Sequence, residues 1–252
     1  MEIINIVIIL LIGVFGGFIS GLVGIGGAII IYPAILILPA LFGVPTYSAY
    51  IASGLTSSQV FFSTLSGSLK AIKKDEFSPK LVMNMGGGMI FGGIIGALLA
   101  NLFNATFINI IYIIIAITAL ILMVIKVKPR SEQKGSYRPL LLITIGALIG
   151  IFSGIVGAGG AFIIIPILLV IFKLPMNTVV ANSIVIAFLS SIGAFVVKLF
   201  QGFIPIEDAM FLIIGSIVFA PIGLKVGQKV SNTIQKMIVS ILIIIAIIQL
   251  VF

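Results

Sequence analysis

The chain has 252 residues, 61% of them hydrophobic and 8% charged, with 28 glycines, no cysteine and no histidine. Its 14 basic and 6 acidic side chains are too few to clothe a water-facing surface, since soluble domains are about 25% charged. A polytopic membrane protein is implied, and thiol or imidazole chemistry, disulfides, structural zinc and haem ligation are excluded.

Taken in chain order, the first half opens with an apolar region at residues 3–42, interrupted by Gly21, Gly24, Gly26 and Gly27. The region begins Met1-Glu2 and stays apolar past Leu41, unlike a secretory signal with its basic start, and is expected in the mature protein. Three apolar stretches follow, at about 46–69, 81–100 and 105–125. A polar linker leads to a second interrupted region at residues 140–172, broken by Gly154, Gly157, Gly159 and Gly160, and to stretches at about 177–197, 209–224 and 233–252. A crossing helix needs about 20 apolar residues. The pieces flanking the second break are about 15 and 12 residues long, and 12 residues rise only about 18 Å as a helix. The lengths predict an all-α polytopic membrane protein of two repeats, each a Gly-broken re-entrant or short-helix hairpin plus three transmembrane helices. Residues 1–126 form the first repeat, 127–138 a cytoplasmic linker and 139–252 the second repeat, in one integrated transmembrane domain.

Charge sets the orientation. With the linker in the cytoplasm and an even number of crossings in each opening region, 13 of the 14 basic residues fall on the cytoplasmic side, and Lys198 alone falls outside. Cytoplasmic loops carry excess Lys and Arg, so this arrangement is expected, with both termini outside a multi-pass cell-membrane protein. Each half then crosses an odd number of times, which gives the halves opposite orientations. The basic loop at Lys70 to Lys80 has an acidic counterpart at Glu207 and Asp208, as that inversion requires. Basic residues scattered between apolar runs make no nucleic-acid stripe; the expected partners are the lipid bilayer and a small substrate, with no nucleic acid, and a second copy of the chain is a candidate for a homodimer.

The halves also align. Residues 20–28 match residues 153–161 at an offset of 133, and Pro33 matches Pro166 at the same offset. Pro45 pairs with Pro175, residues 52–54 pair with 181–183, and Gly88, Gly96 and Ala100 pair with Gly215, Gly223 and Gly227. On its two G-x-x-G-x-G-G-A-x-x-x-x-P runs, Gly21 to Pro33 and Gly154 to Pro166, the chain resembles the sulfite exporter TauE/SafE family of membrane transporters. That resemblance covers nearly the whole sequence. It implies transport, with export as the direction, of small anions such as sulfite, a sulfonate or another organosulfur or organic anion. A channel-like pore and a sodium-coupled carrier for another small solute are the alternatives. An enzyme is not expected, because the spans lack paired carboxylates, metal ligands and a nucleophile–base pair, and no cofactor is expected.

A break inside the bilayer exposes backbone groups that must be covered by protein or face a water-filled cavity. A helix starting after such a break carries about half a positive charge at its N-terminus, which suits an anion. The candidate binding residues are therefore Gly24, Gly26, Gly27 and Ala28 in the first half and Gly157, Gly159, Gly160 and Ala161 in the second. Ser53, Ser57, Gln59, Asn182 and Ser183 supply hydroxyl and amide groups from the next helices. A midplane site between the repeats is expected. Gly88, Gly92, Gly96, Gly215, Gly223 and Gly227 are expected to pack helices together, Ser20 and Ser153 to bond back to helix carbonyls, and Lys198 to snorkel at a helix end. No ionisable side chain lies well inside a predicted span, which argues against a carboxylate proton relay.

Overall fold

The computed structural model describes residues 3–24, 26–125, 138–157 and 160–251. Apart from Arg138, the predicted linker lies outside them, as do Ile25 and Gly159. Every regular element among the described residues is helical: α1 (Ile3–Val23), α2 (Ala28–Leu41), α3 (Ala49–Ala71), α4 (Pro79–Leu99), α5 (Ala105–Val124), α6 (Pro139–Val156), α7 (Ala161–Val170), α8 (Met176–Phe200), α9 (Ile206–Gly227) and α10 (Asn232–Val251). Caps explain the starts. Ser48 accepts from the Ile51 N–H at 3.3 Å ahead of α3, and Asn104 accepts from the Phe107 N–H at 2.8 Å ahead of α5, while Pro79 and Pro139 open α4 and α6 where a missing N–H costs nothing.

Six of these helices, α1, α4, α5, α6, α8 and α9, are long and apolar enough to cross a membrane, and their outward faces carry Phe15, Phe91, Ile114 and Val218 exposed. The protein is a multi-pass membrane protein. The expectation of two short pieces at each break holds for α2, with 14 residues, and α7, with 10, but not for their predecessors. α1 has 21 residues and α6 has 18. Gly21 and Gly154 do not interrupt those helices, because each fills a close helix–helix contact instead.

α3 differs in kind. It is 23 residues long yet rich in Ser and Thr, and Ser53, Thr56, Ser57, Ser58, Gln59, Ser63 and Thr64 are all buried. It packs against α8, α9, α1 and α2, so a polar helix occupies the middle of an apolar bundle. α8 runs antiparallel to it. Ser53 near the start of α3 meets Lys198 near the end of α8, while Asn182 near the start of α8 meets Glu76, just past the end of α3. Phe61 stacks on Phe195 between them, with ring centroids 4.8 Å apart.

The remaining helices pair through glycine. Gly88, Gly92 and Gly96 of α4 face the backbone of Ile143, Ala147 and Ile151 on α6, and Gly146, Gly150 and Gly154 of α6 face Met85, Met89 and Gly93 in return. Gly13, Gly17 and Gly21 of α1 likewise face Leu212, Ser216 and Ala220 on α9, whose Gly223 and Gly227 face Phe18 and Leu22. Spacing of four residues keeps each stripe on one helix face, so the backbones approach where lipid offers no hydrophobic drive. The packing pairs α4–α6 and α1–α9 each join one half of the chain to the other, as do α5–α7 and α2–α10.

A methyl group at Gly92 would land on the Ala147 carbonyl, whereas one at Gly87 would meet nothing within 4 Å. Gly92→Ala should therefore lower stability by about 1–3 kcal/mol. Gly87→Ala should leave it unchanged or raise it by up to about 1 kcal/mol. Melting of the two variants side by side in detergent checks the contrast.

Candidate functional site

At the first break α1 ends when the Gly24 N–H bonds the Ser20 carbonyl at 2.9 Å, and Gly24, Gly26 and Gly27 all adopt positive φ, at 77°, 71° and 75°. A side chain would be strained at each, so the run of glycines is what permits the turn. α2 restarts at Ala28, with the Ile30 and Ile31 N–H groups closing onto the Gly27 carbonyl. The N–H groups of Ala28 and Ile29 come before the helix ladder can supply carbonyls for them. Gln59 of α3 faces this start. Its Nε2 lies 3.2 Å from where a Cβ would sit on Gly27 and 3.6 Å from that position on Gly16. Gln59 is fully buried, and neither its Nε2 nor its Oε1 has a hydrogen-bond partner among the described residues. An unpaired buried amide costs about 1–3 kcal/mol. Tyr112 of α5 braces the same segment by donating from its hydroxyl to the Ile29 carbonyl at 2.6 Å, and it stacks on Tyr32.

The other half of the chain packs against each break. The Ser183 hydroxyl of α8 donates to the Gly24 carbonyl at 3.0 Å. At the second break Gly157, at φ 82°, caps α6 and lies against the backbone of Ser53 on α3, and Gly160, at φ 63°, precedes Ala161 at the start of α7. Lys198 does not snorkel. α8 continues past it to Phe200, and its side chain is turned inward and fully buried. Its ammonium donates to the Ser53 Oγ at 2.7 Å and to the Ile155 carbonyl at 3.2 Å, in the last turn of α6. A cation on orphan carbonyls at a helix C-terminus is favourable, but no carboxylate pairs with it among the described residues.

The other expected residues separate by role. The Ser57 hydroxyl donates to its own helix at the Gly54 carbonyl, and Ser53 does the same at Tyr50. Ser153 bonds back to Gly150 as expected, whereas Ser20 pairs with Ser63 of α3 at 3.1 Å. Asn182 holds a loop: its Oδ1 accepts from the Ser78 N–H at 2.7 Å, and its Nδ2 donates to the carbonyls of Glu76 and Thr178. Beside that loop a cavity of about 350 Å³ is bordered by Lys73, Lys74, Glu76, Asn177, Gln228 and Val180. Its lining residue Val180 adjoins the first break, with its carbonyl 3.1 Å from the Cβ position of Gly24. Burial holds the Lys74 ammonium below the usual lysine range, with Glu76 opposing the shift. The expected residues, joined by the unexpected Lys198, thus gather into two clusters rather than one. Gly24, Gly27, Gln59 and Ser183 form the first, and Gly157, Ser53 and Lys198 the second. Ser53 and Gln59 are six residues apart on α3, a rise of about 9 Å.

The family model for Sulfite exporter TauE/SafE matches residues 9–250, from within α1 to within α10 and across both breaks. The chain belongs to this family of membrane transporters. Among relatives of the TauE/SafE chain, the probable membrane transporter protein YunE of Bacillus subtilis is 26% identical over 269 residues and covers 98% of both chains. A probable membrane transporter protein of Methanocaldococcus jannaschii is 26% identical over 236 residues, covering 89% of this chain and 87% of its own length. The probable membrane transporter protein YdhB of Bacillus subtilis is 24% identical, covering 88% and 89%. No solved structure matches the chain significantly.

Lys198 is the site residue that sequence reasoning missed in this TauE/SafE transporter. Its isolation was the available signal, since it is the one basic residue that the charge count sets apart from the other 13. Tyr112 carried no signal, because its role depends on α5 lying against α2.

Asn182→Ala should strip the 72–78 loop of its side-chain anchor, leaving the Ser78 N–H and the Glu76 carbonyl without it. Amide exchange at Ser78 should accelerate by tenfold or more, following a loss of about 1–3 kcal/mol. Hydrogen–deuterium exchange on the purified variant measures it.

Proposed function

We propose that this transporter moves a small oxyanion such as sulfite, a sulfonate or a carboxylate, in the outward direction, along a path between two inverted repeats. The substrate meets Gly24, Gly26, Gly27, Ala28 and Gln59 from the first half, and Gly157, Gly159, Gly160, Ala161 and Ser183 from the second. Ser53 and Ser57 line the polar helix between the clusters, and Asn182 sets the loop at the entrance. One observation carries the reading: a fully buried glutamine, with both amide atoms unpaired among the described residues, aimed at the first turn of a helix that begins within the bundle. Its Nε2–H is a donor with no acceptor among the described residues, beside the positive N-terminal end of α2, and an anion is the acceptor that suits both.

The exchange of helix pairs between the halves and the inverted charge of equivalent loops support opposite orientations of the repeats. With the basic residues cytoplasmic, the 350 Å³ cavity opens inward, and the Lys73 and Lys74 ammoniums at its rim draw anions toward it. The membrane potential supplies the drive, at about 2.3 kcal/mol per charge per 100 mV, and favours exit for an anion.

Liposome flux under a set potential, with sulfite, sulfoacetate, sulfate and chloride in competition, tests the proposal. Outward movement of at least one anion should follow an inside-negative potential, and Gln59→Leu should slow it tenfold or more while the protein elutes unchanged. Currents above carrier turnover would favour a pore. Flux that requires a proton gradient at clamped potential would overturn the stated drive.

A further inference from the structure

The proposed path leaves one charged group without a task. Lys198 is fully buried, and its ammonium sits under the second break, held by a neutral hydroxyl and a carbonyl. Ionisable groups inside a membrane bundle are costly and pair with one another or mark a substrate route. A lysine ammonium has three donors. Two are used here, on Ser53 and Ile155, and the third is spare.

Relief of a carbonyl at a break does not need a charge, as the first break shows. There the Ser183 hydroxyl alone satisfies the Gly24 carbonyl. The position matching Lys198 in the first half, at the offset that pairs Ala52 with Ala181, is Leu69, an exposed apolar residue. The two ends of the α3–α8 pair therefore differ in their interior: an ammonium is buried where α6 ends and α3 begins, whereas Lys70 and Lys73 at the other end are exposed. Glu207 and Asp208, at the start of α9, are acidic groups at the same end of the bundle, but Asp208 accepts from Asn5 of α1 rather than from Lys198.

We propose that the transported anion is the missing counter-ion of Lys198, and that the ammonium with the Ser53 hydroxyl forms a second oxyanion subsite at the far end of the path from the cavity. This rests on the transport reading above. In the arrangement described, the ammonium is parked on the Ile155 carbonyl and Ser53. When an anion arrives, it displaces the carbonyl, and the ion pair it forms is neutral overall. The charge thereby selects anions over neutral molecules of the same shape, and it does so at the end from which the substrate leaves.

The test uses the full chain in liposomes, with sulfite and sulfoacetate as probes. Lys198→Gln keeps donors for Ser53 and Ile155 but removes the charge, and Lys198→Arg keeps the charge. Flux of both probes should fall at least tenfold in Lys198→Gln, a loss of about 1.4 kcal/mol or more, and stay within about threefold of wild type in Lys198→Arg. Wild-type flux in a folded Lys198→Gln protein would overturn the subsite and leave the transport reading standing. An absence of flux in the wild type for every anion tried would instead defeat the transport reading. Should Lys198→Gln fail to fold, the wild-type protein decides. A neutral amine-reactive ester should label Lys198 during turnover, and saturating sulfoacetate should slow that labelling at least fivefold without affecting Lys173. Labelling unchanged by sulfoacetate, or no labelling at all, overturns the proposal.

Discussion

Backbone polarity in hydrocarbon governs this fold. An N–H or carbonyl facing lipid has no water to bond, so a helix can stop within a membrane only where other protein groups take over. α1 and α6 each end at a glycine break, and side chains of α8 and α5 relieve the backbone groups there. Ser183 of α8 reaches the Gly24 carbonyl, and Lys198 of α8 reaches the Ile155 carbonyl. Tyr112 of α5 takes the Ile29 carbonyl. The first break draws on both halves, Ser183 from the second and Tyr112 from the first, which ties the two halves together.

The same constraint sorts the glycines. Those in the stripes of α1, α4, α6 and α9 bring helices close enough for backbone contact, while those at 24, 26, 27, 157 and 160 take positive φ. One residue type answers two different demands, and its spacing tells them apart. A period of four marks a stripe; a cluster inside four residues marks a turn. Gly21 and Gly154 stand at the boundary and belong to the stripes, since Ala220 and Gly93 lie directly against them.

Much of this was readable beforehand. The membrane class, the paired breaks, the helix positions and the packing glycines follow from composition, length and spacing, because lipid imposes those rules on any sequence. Gln59 was legible as a polar side chain in an apolar stretch, though not that both its amide atoms lack partners. Other features depend on which helices become neighbours. Lysine at a helix end snorkels if water is near, and Lys198 is buried because α6 ends above it. Asn182 is polar and near a break, yet the proximity of loop 72–78 commits it to Glu76 and Ser78. The two clusters were expected as one because the sequence shows that both breaks exist, not how far apart along α3 and α8 they fall.

α3 bears on how such a protein is made. A helix carrying Gln59 and a run of serines and threonines is a poor candidate for entering lipid by itself, since each buried polar group must find a partner. Its covering helices α8 and α9 leave the ribosome only after the whole first half has been synthesised. Until then α3 must linger beside α1 and α2, at the edge of the insertion machinery or in a provisional position. Assembly of the centre is therefore a late event, and maturation waits on the last helices to emerge.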